Sequence, residues 1–281
     1  MQVAWRVKYW LEPLLYRTIV LADRWPTREL LKYYPCCLSP KLLSALRSRP
    51  TAFFSANVRH LYCGMTRQEA QMAALSACTG VENLWIESPK MSLISLLAPL
   101  TPKHLGVNLS LILHTFPPTH ALFSQLTHLH ILNPPHTGTD LDAMCMALSL
   151  IPKLTHLSLD RNRYNYLLPT FGLRVLETCR SLAVLVFCSA MICLGSVVRD
   201  MFKLVQDARF VNIYSRLNAP SSRGSPLPDW EIGVHGGEDH WRQAERIIEE
   251  RRFGKIDRKG PRLNTISLLN APNHSALISA V

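Results

Sequence analysis

The sequence predicts an α/β fold: a solenoid with parallel strands on one wall, helices on the other and an amphipathic helix capping its C-terminal end. Two observations carry this expectation. The first is a recurring pattern of apolar, two residues, Leu, one residue, apolar. It reads Val58-Arg-His-Leu61-Tyr-Cys63, Val81-Glu-Asn-Leu84-Trp-Ile86, a weaker Pro102-Lys-His-Leu105-Gly-Val107, Leu126-Thr-His-Leu129-His-Ile131, Leu154-Thr-His-Leu157-Ser-Leu159 and Leu182-Ala-Val-Leu185-Val-Phe187. The central leucines at 61, 84, 105, 129, 157 and 185 are 23, 21, 24, 28 and 28 residues apart. The second is the alternation of these copies with helix-like stretches, which implies right-handed strand–helix–strand crossovers.

A period of this size lies in the range of leucine-rich repeats. Each copy opens with a strand that cannot bury its own apolar face, and stacking the copies makes a continuous core. The Asn or Cys expected three residues after each motif is mostly missing; Asn162 alone fits. The expectation is therefore an irregular leucine-rich-repeat solenoid of about six or seven units.

The elements follow in order. Leu14 to Leu21 reads as an edge strand, and Leu42 to Leu46 as a short helix. Thr66-Arg-Gln-Glu69 has the form of a capping box opening a helix to about Ala77. Between Leu100 and Phe123 the repeat shortens around Pro117-Pro118, so its helix is short or absent. Thr139 opens a helix to about Leu150, and Pro169 to Cys179 and Ser196 to Gln206 supply two more. Phe210 to Ile213 reads as a further strand. Asn218 to Asp229, rich in Pro, Ser and Gly, reads as an exposed loop. Asp239 to Phe253 places Trp241, Ala244, Ile247 and Ile248 on one helix face and ends at Gly254; it is expected to cap the last repeat. These readings divide the chain into an N-terminal cap region (1–50), the repeats (51–217), a loop and capping helix (218–256) and a tail without pattern, expected to be disordered (257–281).

Composition narrows the function. Of 281 residues, 48% are hydrophobic and 18% charged, enough to bury a core and too apolar for wholesale disorder. The net charge of +11 invites a nucleic-acid or anionic-membrane partner. The charges are spread, however. The densest stretch, Arg242 to Arg262, mixes eight Lys/Arg with four acids and interleaves no aromatics suited to base stacking, so nucleic acid is not expected. Ser181 to Val198 is an uncharged 18-residue run that reaches the lower limit of a membrane span. A strand followed by a helix accounts for it better, and no membrane partner is expected. Eight cysteines form no CxxC pair and no secretory signal opens the chain, which favours a reducing compartment, cytoplasm or nucleus. No GxSxG, HExxH, P-loop or GxGxxG is present, so an enzyme is not expected and no cofactor is implied.

The segments LEPLLYRTIVL, NVRHLYCG, ACTGVENLWI, FSQLTHLHIL, IPKLTHLSLD, CRSLAVLVF, DARFVNIY and DWEIGVHGGEDHWRQAERIIEERRFGKI together resemble a large family of F-box-like, leucine-rich-repeat proteins of mushroom-forming fungi. The resemblance covers roughly residues 10 to 256. It implies protein–protein recognition, as the substrate-binding part of a ubiquitin ligase that docks a Skp-type adaptor through an N-terminal F-box. The F-box itself has no counterpart here, so no adaptor-binding residue carries over and a free-standing scaffold or decayed paralogue is the alternative.

The candidate site is a histidine column. His60, His104, His128 and His156 each precede a central leucine, with Asn83 and Val184 in the other copies. This position faces the concave side of a repeat strand, where stacked neighbours lie about 4.8 Å apart. Two residues on, Tyr62, Trp85, His130 and Ser158 share that face. Exposed aromatics there would anchor a protein partner; the alternative is that they pack under a loop. Three imidazoles at this spacing, His104, His128 and His156, could hold Zn²⁺ or form a pH-sensitive patch. The bland reading is that T-H-L is the consensus of a duplicated repeat. Gly236-Gly237 could present backbone N–H groups to an anion but reads as a plain turn.

Overall fold

The structure is a computed structural model, and it describes residues 2–23, 36–64, 66–87, 89–134, 138–161, 167–189, 206–214 and 227–255. The alternation of inward leucines and outward polar residues gives nine short parallel strands. They are β1 (Thr18–Leu21), β2 (Cys36–Cys37), β3 (His60–Cys63), β4 (Asn83–Ile86), β5 (His104–Val107), β6 (His128–Ile131), β7 (His156–Arg161), β8 (Val184–Ser189) and β9 (Phe210–Tyr214). They form one open sheet in the order β2-β1-β3-β4-β5-β6-β7-β8-β9. From β4 onward each strand lies beside the one before it in the chain, which is compatible with a solenoid.

A repeated backbone contact sets the register. From β3 to β8, each strand's first amide and the amide before it donate to one carbonyl just ahead of the neighbouring strand or at its start. Thr127 and His128 share the Lys103 carbonyl at 2.9 and 3.0 Å, and Thr155 and His156 share that of Thr127 at 3.1 and 3.0 Å. The central residues Leu61, Leu84, Leu105, Leu129, Leu157 and Leu185 are thereby stacked in one core, each at most 2% exposed. Phe210 extends that row on β9, pairing with Leu185.

Helices α1 (Gln2–Leu15), α2 (Ser39–Ser48), α3 (Thr51–Asn57), α4 (Gln68–Ala77), α5 (Met91–Ile94), α6 (Leu109–Leu113), α7 (Gly138–Ser149) and α8 (Leu168–Thr178) precede or connect the strands. As expected, the region after β5 holds only the five-residue α6 and a 3₁₀ turn at Ala121–Phe123. Among the described residues two helices follow β9: α9 (Leu227–Val234) and α10 (His240–Arg252). Among the described residues no helix is long and apolar enough to cross a membrane. The first half of the 181–198 run is β8; the helix expected over Ser196 to Gln206 and the tail beyond Ile256 lie outside the described residues.

Four expectations are corrected. The N-terminal strand begins at Thr18, since Leu14 and Leu15 finish α1, and it is interior, because β2 pairs on its outer side. The capping box at Thr66 does not form: α4 begins at Gln68, and the Thr66 hydroxyl donates instead to Asp23 at 2.8 Å. Asp23 also accepts from the Ser39 amide at 2.8 Å and the Arg67 amide at 3.1 Å, so one carboxylate serves the starts of both α2 and α4. Residues 227–229, expected in a loop, open α9. Finally, α10 lies on the concave face of the last repeats rather than across the end of the stack. Its Trp241, Ala244, Ile247 and Ile248 pack against Val184, Val186 and Val211 of β8 and β9. Its N-terminus is capped by Asp239, which accepts from the Arg242 amide at 3.0 Å.

Candidate functional site

Strand pairing lines up two rows on the concave face. The outer row runs His60, Asn83, His104, His128, His156, Val184, and the inner row Tyr62, Trp85, Gly106, His130, Ser158, Val186. Parallel in-register pairing stacks the imidazoles of the outer row. His104 and His128 lie 4.1 Å apart with 15° between planes, and His128 and His156 4.1 Å apart with 12°. Thr127 and Thr155 hold two of these rings through Nδ1, at 2.9 and 2.8 Å. His156 Nε2 reaches Glu245 of α10 at 3.1 Å.

The concave face is not open. Helix α9 lays Trp230 over Tyr62, with ring centres 5.3 Å apart, and its indole N–H donates to Asn83 Oδ1 at 2.9 Å. Helix α10 sets the edge of Trp241 against His128 and His156, at 5.2 and 5.9 Å. Tyr62 and Ser158 are fully buried, and His130 and Trp85 are 3% and 5% exposed. The expectation that Tyr62, Trp85, His130 and Ser158 are exposed anchors is therefore corrected: they are anchors, but the chain's own helices occupy them. The buried Tyr62 hydroxyl donates to Glu87. Gly106 makes the inner row possible. A Cβ there would meet the Trp85 ring at 2.2 Å, so the indole lies flat across the place where a side chain would stand. It continues onto His130, 4.6 Å away.

Burial sets the electrostatics of the outer row. Desolvation depresses His60 and His104 to about 4, helped by Arg17 at His60 and by the His156 charge at His104. It drives His128 down to about 2, with the charges of His104 and His156 acting in the same direction. His156 is lowered by burial against the opposing pull of Glu245. The row is thus a neutral stack at physiological pH. The stacked rings of His104, His128 and His156 are not among the groups whose ligand atoms all converge, so the zinc site that their spacing allowed does not form.

Among the described residues, the ligand-type atoms that do converge belong to His130, Cys188 and His240. A ring nitrogen of each histidine and the cysteine Sγ lie within 4.8 Å of one another. His240, the first residue of α10, is 6% exposed, and Asp229 of α9 pairs with its Nδ1 and accepts from its backbone amide at 3.1 Å. Burial lowers the His240 pKa, but the Asp229 carboxylate outweighs it and the net direction is up. Asp160 lies 3.1 Å from His130 Nε2. A small cleft remains between sheet and helices, lined by Asn83, Trp85, His104, His128, Trp230 and Trp241.

Trp230, His240, Asp229 and Cys188 were invisible as site residues in the sequence. Only Cys188 carried a local signal, since the period-two alternation of β8 places it beside Val184 and Val186 on the concave side. Cys37, Cys63, Cys78, Cys145, Cys179 and Cys188 are free thiols. Comparison with protein-family models, with curated proteins and with solved structures finds no match for this chain.

Proposed function

We propose that the protein is a non-enzymatic protein-recognition module of the irregular leucine-rich-repeat type, and that the concave sheet is its recognition surface. One observation carries the reading. The face already holds a helical pair, α9–α10, through two indoles seated on an aromatic and imidazole row. Trp is the residue most enriched where protein contacts are strongest. The same contacts suit a Trp-bearing helical segment of a partner that displaces the internal pair. The resemblance to fungal F-box-like proteins favours a role as the substrate-binding part of a ubiquitin ligase, with a Skp-type adaptor held by an F-box upstream or on a partner.

Competition in trans is the test. The tagged full chain is used to capture partners, with and without excess synthetic peptide 227–255. A specific protein that the peptide displaces, and that a peptide carrying Trp230→Ala and Trp241→Ala does not, is the expected result. Capture of a Skp-type adaptor and cullin alongside it fits the ligase assignment. Partners indifferent to the peptide, or chaperones alone, overturn the reading.

A further inference from the structure

We propose that His130, Cys188 and His240 form a zinc-binding site that clips the C-terminal helices onto the sheet. The three come from β6, β8 and the first turn of α10, so an ion held by all three ties segments far apart in sequence. Their ligand atoms lie within 4.8 Å of one another. Tetrahedral zinc with bonds of about 2.0–2.3 Å places its ligand atoms roughly 3.3–3.8 Å apart, a small contraction from that arrangement.

Two further observations point to an ion. His130 Nδ1 and His240 Nε2 are both buried and lack a hydrogen-bond partner, although each residue is more than nine-tenths buried. Buried ring nitrogens are normally satisfied. Moreover, the other nitrogen of each ring faces a carboxylate. Asp229 fixes the proton of His240 on Nδ1, and Asp160 fixes that of His130 on Nε2. In its neutral form each ring thus carries its proton on the nitrogen facing the carboxylate, and the lone pair falls on the unpartnered nitrogen. This is the carboxylate–histidine arrangement that supports metal ligation. The Ser158 hydroxyl, 3.3 Å from Cys188 Sγ, can donate to a thiolate there.

Thiolate and imidazole together select a borderline-soft ion such as Zn²⁺ over Mg²⁺ or Ca²⁺. On binding, Cys188 gives its proton to solvent and becomes the thiolate ligand. One thiolate and two neutral imidazoles leave a single positive charge on the ion, which the carboxylates of Asp160 and Asp229 behind the two rings stabilise. Water completes the fourth position. The inference shares the α9–α10 contact with the recognition reading but is tested apart from it, because zinc is read on the purified chain with no partner present.

The test uses the full chain, with metal removed and then titrated. Zinc is followed by competition with a chromogenic chelator, and Co²⁺ serves as a spectroscopic probe of thiolate coordination. One equivalent of zinc and a thiolate-to-cobalt absorption band are expected. Cys188→Ser and His240→Gln each weaken zinc by more than about tenfold and abolish the band, and Asp229→Asn weakens it by about 10- to 100-fold. Cys179→Ser, a buried cysteine in the helical wall, leaves both unchanged. Absence of the cobalt band in the wild type overturns the site without recourse to any variant. So does equal zinc binding by wild type and folded Cys188→Ser, or a loss caused by the His128→Ala, His156→Ala pair but not by Cys188→Ser.

Discussion

At the scale of single residues, Gly106 and Trp241 decide whether the concave face can be filled. Gly106 is required by proximity, since an added methyl would stand 2.2 Å from the Trp85 ring. Gly106→Ala therefore pushes the indole off its row and off His130. A loss of about 1–3 kcal/mol in denaturant unfolding is expected, as for other overpacked cores. Trp241 is 8% exposed and packs with Ala244, Ile247 and Ile248 against the valines of β8 and β9. Trp241→Ala is expected to cost about 3–5 kcal/mol by the same measurement. A cost below about 1 kcal/mol would mean that α10 does not rest on the sheet. The repeat pattern leaves the position of Gly106 unspecified, and only the structure supplies the reason for a glycine there: the missing side chain is the space for a neighbour's ring.

At the scale of elements, the strands were legible and their connections less so. Leucines spaced 21 to 28 residues apart, each with apolar flanks at period two, define a strand and its inward face without help from the rest of the chain. Hence β3 to β9 lie where the pattern puts them. Helix starts depend on which acceptor a backbone amide finds, and that acceptor can be remote. The Thr66 box competes with Asp23, which is 43 residues away and gathers Ser39, Thr66 and Arg67 about one carboxylate. Burial opposes this ionised form, but the hydrogen bonds from Ser39, Thr66 and Arg67 prevail and hold Asp23 at about 2. Hydrogen bonds to a charged group contribute about 1.5–3 kcal/mol each, so Asp23→Ala is expected to destabilise by several kcal/mol. Glu69→Ala, which removes the acid of the capping box that does not form, should change stability by less than about 0.5 kcal/mol. The reverse order in thermal or denaturant unfolding would restore the box.

At the scale of the whole molecule, the concave face, its occupant and its charge state act together. The occupant escaped the sequence because nothing local couples Tyr62 to Trp230 or His128 to Trp241; α10 showed its apolar face clearly, but not the surface that face would meet. Filling the face makes its histidines resist protonation. His60 and His104 have native pKa values of about 4 against 6.5 for the ordinary side chain. Above pH 6.5 both states are neutral at these positions and the contribution to stability is fully present. Below it the unfolded chain takes up protons that the native stack refuses, so stability falls until the native values near 4 are passed. Each histidine steepens the fall by at most about 1.4 kcal/mol per pH unit. Urea unfolding between pH 7 and pH 5 should show this loss, and a His60→Gln, His104→Gln variant should show a shallower slope.

The occupancy of the concave face is tested most directly by hydroxyl-radical footprinting of the intact chain, read residue by residue by mass spectrometry. Tyr9 and Trp10 on α1 are 68% and 66% exposed and supply the internal standard for an open aromatic. Tyr62, Trp85, Trp230 and Trp241 are expected to label far more slowly than these, together and to a similar degree. Labelling of Tyr62 and Trp85 at the rate of Trp10 would show an open sheet with α9 and α10 elsewhere, and would contradict the internal occupant on which the recognition surface and the zinc clip both rest.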